Sequence, residues 1–521
     1  MSESRTLVAR AAGVGLVGGV IGAASNLLLA TLVGRALGAA GAGPFFQTMA
    51  VVAIASNVLE LGADTGLVRH VSAALAQGRD DRVRGLVGIA VLPVVAASLL
   101  VIVAGALVAP ELGGLTGGGR GWVVIVLLGS GLAALMAVLL GAVRAMSSAL
   151  SVTLVQNVGL PLARLALVGA CVMIGASSWR SAALAWLAPL PAALLAAALL
   201  LVRAERRHRV PSAPVLPVES EWRRFWAFSA PRGVGAAVEI CLEWVDVLIV
   251  AALCSAADAG VYAVVTRAAR SAELIQQASR IAIGPVISAA LTEGRLGAVR
   301  RLHRDVALGT TLLSWPFFTI AAYFAPALLG LFGPGFAEGA TALRILCVGL
   351  ALAYAAGGVQ SILLMGGRSG AQVGNKTACL VVNVGLDLVL VPRFGIVGAA
   401  AGWAVVLVLD AGLAWLQILT GLRLRLGLRT AYVAGAAVAV ATAGICVLVD
   451  ALGTGPFGHG GGSVAAPIGA ALTVTLVGGA GALMALRARS GAGQQDRGRG
   501  DGLDMTTEDL QGLASRTGGD L

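Results

Sequence analysis

SAALAQGRDDRVR at Ser72–Arg84 returns as SAALTEGRLGAVR at Ser288–Arg300, identical at eight of thirteen positions. Ahead of each copy, GAAGAGPFF at Gly38–Phe46 resembles SAADAGVYA at Ser255–Ala263, and the offset is again 216 to 217 residues. An alanine-rich chain matches alanines by chance, but not the shared Gly-Arg and Val-Arg pairs. Each pair of segments brackets one long apolar run, so a structural unit is duplicated and not merely a word. Both copies begin on the same side of their run. The repeat is therefore parallel, with its halves related by an axis along the normal of whatever layer the runs cross.

Composition identifies that layer as a bilayer. Of the 521 residues 58% are apolar and only 12% charged, half the charge of an ordinary soluble domain, and the mean hydropathy is +0.90. Soluble globular, disulfide-stapled, nucleic-acid-binding and disordered classes are excluded. A spanning helix needs about 20 apolar residues. Fourteen runs qualify, near 11–33, 44–76, 84–109, 121–143, 149–175, 181–202, 225–252, 259–290, 305–329, 338–366, 371–391, 395–420, 429–451 and 464–486. The fold class read from them is all-α and polytopic: two pseudo-symmetric six-helix bundles plus two extra C-terminal helices. The division runs 1–202 for the first bundle, 203–222 for a linker, 223–422 for the second bundle, 423–486 for the added pair and 487–521 for a disordered tail. The six cysteines lie in apolar stretches without metal-ligand spacing and read as small core residues.

The net charge of +11 comes from arginine, since Lys376 is the only lysine. With the N-terminus placed in the cytoplasm, 26 of the 37 basic residues fall on that side and four (Arg35, Arg120, Arg180 and Arg393) on the other. This asymmetry is the positive-inside rule, and it implies cytoplasmic termini in a cytoplasmic membrane, with the basic loops against anionic lipid. The remaining seven basic residues lie inside the spans.

Two of those seven, Arg69 and Arg344, read as snorkelling to an interface, and the other five are the functional signal. A charge at a helix centre costs about 2.5–3.5 kcal/mol on insertion scales, so a set of them must face one another or water. Arg164, Arg232, Arg267, Arg270 and Arg280 are too deep to reach an interface, and Glu60, Asp64, Glu239, Glu243, Asp246, Glu273, Asp387 and Asp410 lie at similar depth. In span seven Arg232, Glu239, Glu243 and Asp246 follow at intervals of seven, four and three, one helical face. Span eight carries Arg267, Arg270 and Arg280 in a similar stripe. Interhelical salt bridges would account for single charges, but three cations on one face repel and are better suited to receiving an anion. Arginine matches phosphate through planar, bidentate donors. The substrate-binding set read this way is Arg267, Arg270, Arg280, Arg232 and Arg164, with Glu60 and Asp64. Asp410 has no assignable role.

NVGLDLVLVPRFGIVGAAAG (Asn383–Gly402) resembles the eleventh-to-twelfth-helix signature of the multidrug/oligosaccharidyl-lipid/polysaccharide (MOP) exporter superfamily. GRALGAAGAGPFF with LELGADTGLVRHVS resembles the first-to-second-helix region of its polysaccharide-flippase branch, and AADAGVYAVVTRAARSAEL the start of its helix eight. The resemblance implies a V-shaped pair of bundles that flips an undecaprenyl-diphosphate-linked saccharide, with no enzymatic step and no cofactor. It also implies that Arg267 lines the cavity, and that Asn383 and Asp387 form a cation-coupling site with an acid of helix seven, Glu239 or Glu243. Sodium and protons both remain open as the coupling ion. The relatives' helix-one arginine has no equivalent here; Asn26 is the only strongly polar residue mid-span.

The expected function is translocation of a lipid-linked oligosaccharide for cell-surface polysaccharide biosynthesis by alternating access. Its partners would be the substrate, membrane lipids and the polymerase or glycosyltransferases of the same route, with no nucleic acid. The rival readings are a cation-coupled multidrug exporter of the same superfamily, a membrane glycosyltransferase or polymerase, and a non-transporting scaffold.

Overall fold

A computed structural model describes residues 2–451 apart from 117–118, 148, 177 and 212–218. The expected span at 464–486 and the tail at 487–521 lie outside the described residues. Among those described, the regular structure is entirely helical. The helices are α1 Ser2–Glu60, α2 Ala63–Ala76, α3 Val83–Thr116, α4 Arg120–Met146, α5 Ala149–Thr153, α6 Leu160–Met173, α7 Trp179–Leu187, α8 Leu190–Arg207 and α9 Glu219–Leu253. They continue as α10 Ala256–Arg270, α11 Glu273–Thr292, α12 Leu296–Tyr323, α13 Ala325–Gly330, α14 Ala340–Ala355, α15 Val359–Met365, α16 Ser369–Phe394, α17 Ile396–Gly421 and α18 Arg429–Ala451.

Ten stretches are long and apolar enough to cross a membrane. The first, Val17–Ala76, folds back on itself at Gly38, whose φ of 64° is a conformation only glycine adopts freely. Val20–Leu27 from one leg and Met49–Glu60 from the other consequently line a common cavity. Two helical legs fail the apolarity test, α9 and the α10–α11 pair. They carry Arg232, Glu239, Glu243, Asp246, Arg267, Arg270 and Glu273, and charge density is what marks them as walls of a chamber. Around the stretch 203–222, α8 continues to Arg207 and α9 begins at Glu219.

Burial is inverted relative to a soluble protein. Leu92, Leu99, Leu100, Val103 and Leu107 form an exposed apolar stripe along α3, and Val381, Leu388 and Val389 another along α16, while Asn383 and Asp387 are fully buried. Lipid is as apolar as leucine, so helices associate through close packing of small residues and not through a hydrophobic gain. The tightest approach joins the two members of the repeat. A Cβ on Gly43 would lie 1.7 Å from the Ala256 carbonyl oxygen, and one on Gly260 would lie 2.5 Å from that of Ala39. Each glycine opposes the backbone of the other copy, 217 residues away. Around this crossing one continuous core runs from Leu29 through Phe45, Phe46 and Tyr262 to Trp403, drawing on both halves of the chain.

Several expected spans are interrupted, and four of the breaks border the same interior space. The second breaks at Leu61–Gly62, the eighth between Arg270 and Glu273, and the tenth between Ala355 and Val359. The fifth passes through a π-helical turn at Leu154–Gly159. Pro161 follows that turn and has no N–H for the Asn157 carbonyl, which instead points at Gly22. Irregular backbone at membrane depth persists only where it is enclosed by protein or lines a cavity. Gly62, Gln156, Ser271 and Gly358 all line one.

Candidate functional site

Three cavities meet between these helices. The largest, about 650 Å³, lies between α1, α4, α6, α9 and α10 and is lined by Asn26, Glu60, Arg164, Trp186, Trp244 and Arg267. A second of about 330 Å³ opens between α9, α11, α14, α16 and α17. A third of about 360 Å³ lies by Asn57, Glu60, Asp64, Arg232 and Glu239. Glu243, Arg270 and Glu273 line both of the first two, Glu60 lines the first and third, and Glu239 and Lys376 the second and third. They are arms of one polar chamber.

The arginines of the chamber divide by their partners. Arg270 is neutralised: its guanidinium bridges Glu243 at 2.6 Å and Glu273 at 3.0 Å. Its charge is shared with two carboxylates of the chamber wall. Arg267 and Arg164, in contrast, make no ion pair among the described residues. Arg267 lies 4.2 Å from the ring centre of Phe46 and 4.9 Å from that of Trp244, and donates to the Ala263 carbonyl at 2.8 Å. Arg164 lies 3.8 Å over Trp186 and donates to its carbonyl at 3.2 Å. Aromatic faces and carbonyls stabilise a guanidinium without cancelling its charge. Two positive charges thus share the 650 Å³ arm with Glu60, which among the described residues is its one acid outside the Arg270 cluster. Arg232 and Asp64 line the third arm. Arg280 lies on α11, but its side chain is outside the described ones.

The expected cation-coupling residues separate. Asn383 and Asp387 are fully buried on α16, and their neighbour on α9 is Asp246, not Glu239 or Glu243. Asn383 donates its amide to Asp246 Oδ1, and the Tyr262 hydroxyl donates to Oδ2 at 3.0 Å. Asp387 lies against Asp246, with both of its carboxylate oxygens buried, and Asn383 Oδ1 has no partner among the described residues. Two carboxyl groups side by side in a dry interior require a positive charge between them, and an oxygen-rich donor set suits a proton or a hard cation. Glu239 and Glu243 face the chamber instead. Asp246 stands three residues beyond Glu243 on the face already read in the sequence, so the spacing held the signal.

Asp410 acquires a partner: Lys376 reaches it at 2.7 Å, and the Asn375 and Gln417 amides exchange hydrogen bonds at 3.0 and 2.7 Å next to it. Neither pairing was visible in sequence, because α16 and α17 run antiparallel and 34 to 42 residues separate the partners.

The sequence model for a polysaccharide biosynthesis protein family matches residues 8–290. No curated protein matches the chain. Among solved structures, the fold is similar to the lipid II flippase MurJ in an inward closed conformation, with a TM-score of 0.62, 11% identity, and coverage of 93% of this chain and 99% of that one. It is also similar to a multidrug resistance MATE family transporter of the MOP superfamily in an inward-facing conformation, with a TM-score of 0.59, 14% identity, and coverage of 78% and 96%. A third likeness is to the Vibrio cholerae MATE transporter VcmN in the bent form, with a TM-score of 0.54, 17% identity, and coverage of 83% and 100%. With more than half its length matched by the family model, the chain belongs to the polysaccharide biosynthesis protein family, and its helices, ten stretches of them long and apolar enough to cross a membrane, are arranged as in these solved transporters and flippase.

Proposed function

We propose that the protein flips a polyprenyl-diphosphate-linked oligosaccharide across the cytoplasmic membrane. The observation that carries this reading is the pair of guanidinium groups, Arg267 and Arg164, that line one cavity with no carboxylate paired to either among the described residues. Cations kept at membrane depth without a counter-charge are costly, and they are retained where a ligand supplies the anion. A diphosphate offers bidentate acceptors to both. A cationic drug, the cargo of the rival exporter reading, would meet two positive charges on entering this arm.

In this mechanism the diphosphate docks on Arg267 and Arg164, the saccharide occupies the wet chamber, and the polyprenyl tail stays in lipid between the halves. The bundles at 1–202 and 223–422 rock about the Gly43–Gly260 crossing, where small residues allow backbone to slide on backbone. Asp246, Asn383, Asp387 and Tyr262 would hold the coupling cation, which supplies the positive charge that lets the two carboxyls remain packed together. With cytoplasmic termini, as the arginine distribution supports, an interior-negative potential drives the anionic headgroup outward by about 2.3 kcal/mol per charge at 100 mV.

The test is transbilayer movement of undecaprenyl-diphosphate-N-acetylglucosamine in proteoliposomes of the full chain. Wild type should move it, and Arg267→Ala should abolish movement while leaving the monodisperse protein intact. Full activity in Arg267→Ala, or transport of a cationic dye in place of the lipid, overturns the proposal.

A further inference from the structure

The two main arms of the chamber differ in chemistry. Outside the shared Arg270–Glu243–Glu273 cluster, the larger arm carries Arg164 and Arg267 against Glu60 alone. The smaller arm has no free cation among the described residues: Lys376 is held by Asp410 at 2.7 Å, which leaves Glu239 as its uncompensated charge. Its other polar lining is amide, from Gln276, Gln360 and Gln372, beside the Trp403 indole and the Tyr354 ring. Gln360 is engaged with the Asp410 carbonyl at 3.2 Å. Gln276 and Gln372 are half-buried, and among the described residues their side-chain amides have no partner.

We infer that this arm, on the α9–α11–α16–α17 side, is the saccharide subsite, and that it takes a neutral or N-acetylated sugar and rejects an acidic one. The inference rests on the flippase reading and adds to it where the sugar lies and of which class it is. An anion does not fit, because the excess charge there is negative. A hydrocarbon chain does not fit either, because it would strip water from amides and carboxylates without replacing their hydrogen bonds. Free amides that both donate and accept suit sugar hydroxyls and acetamido groups. A volume of about 330 Å³ lies at the small end of ligand pockets, room for one or two sugar units. Because Arg270, Glu243 and Glu273 wall both arms, a diphosphate at Arg267 places the first sugar at the junction of the two.

The full chain in lipid nanodiscs tests this with three probes: undecaprenyl diphosphate, the same lipid bearing N-acetylglucosamine, and the same lipid bearing glucuronic acid. Wild type should bind the N-acetylglucosamine lipid about tenfold more tightly than the bare diphosphate, a margin set by two net hydrogen bonds, and the glucuronic acid lipid no more tightly than the bare one. Gln276→Ala/Gln372→Ala should erase the margin while keeping the affinity for the bare lipid. Arg267→Ala should weaken all three. A margin that survives in the double variant, a wild type that does not discriminate, or tighter binding of the acidic sugar overturns the subsite. If Arg267→Ala leaves all three unchanged while the glutamines still matter, the diphosphate reading fails and the saccharide arm stands. Binding of none of the probes removes both.

Discussion

Alanine at position 43 is a one-methyl probe of how the repeat halves meet. Its Cβ would lie 1.7 Å from the Ala256 carbonyl oxygen and 2.5 Å from that residue's carbonyl carbon, where ordinary contact begins at 3.4 Å. Both opposing atoms are backbone, so no rotamer change can relieve the clash, and α1 and α10 must separate by roughly 1.7 Å at this point. Overpacking a tight interface costs about 1–3 kcal/mol, and a rigid backbone opponent puts Gly43→Ala at or above the top of that range. Gly260→Ala meets the Ala39 oxygen at 2.5 Å, needs about half the separation, and should cost less. Separating the helices relieves both clashes together, so the double variant should cost little more than Gly43→Ala alone, a coupling expected of residues in direct contact. The assay is unfolding in mixed micelles followed by the nine tryptophans, or the inactivation midpoint at a fixed scan rate if unfolding is irreversible. A Gly43→Ala protein within about 0.5 kcal/mol of wild type, or strictly additive single variants, would refute the crossing.

Three further outcomes follow from the same packing. Lys376→Ala strands the Asp410 carboxylate in the protein interior and should cost about 3–5 kcal/mol, whereas Lys376→Met/Asp410→Leu should recover most of the loss; both are read as denaturation midpoints. Asn375→Ala leaves the Gln417 amide unpaired and should cost about 1–3 kcal/mol in the same assay. Asp387→Asn removes the charge that the coupling cation would balance. Transport driven by an imposed sodium or proton gradient in proteoliposomes should then lose its gradient dependence, and an unaltered dependence would place coupling elsewhere.

The spans were legible in the sequence because each must present about 20 apolar residues to lipid, and their order follows from that requirement alone. The reading missed the helix breaks. Leu61–Gly62 and Ser271–Ala272 lie within helical periodicity, and what interrupts them is access to the chamber, a property of the packed halves. The deep charges were equally visible as a set, since an arginine in a span must find a partner or water. Which of them are paired could not be read from one helix: Arg270 is neutralised by Glu243 on α9 as well as by its own neighbour Glu273, and Lys376 by Asp410 on α17. The 217-residue offset did contain the closest contact, because the glycine of GAAGAG and that of SAADAG occupy equivalent places. Asp246 lies on the same helical face, one turn beyond Glu243. Only the approach of α16 shows that it, and not Glu243, faces Asn383.

The most direct measurement is a structure of the full chain in nanodiscs with undecaprenyl diphosphate bound. Phosphate oxygens within hydrogen-bonding distance of the Arg267 guanidinium, inside the cavity shared with Arg164, are the expected result. Phosphates bound elsewhere, with Arg267 still stacked between Phe46 and Trp244, would contradict it.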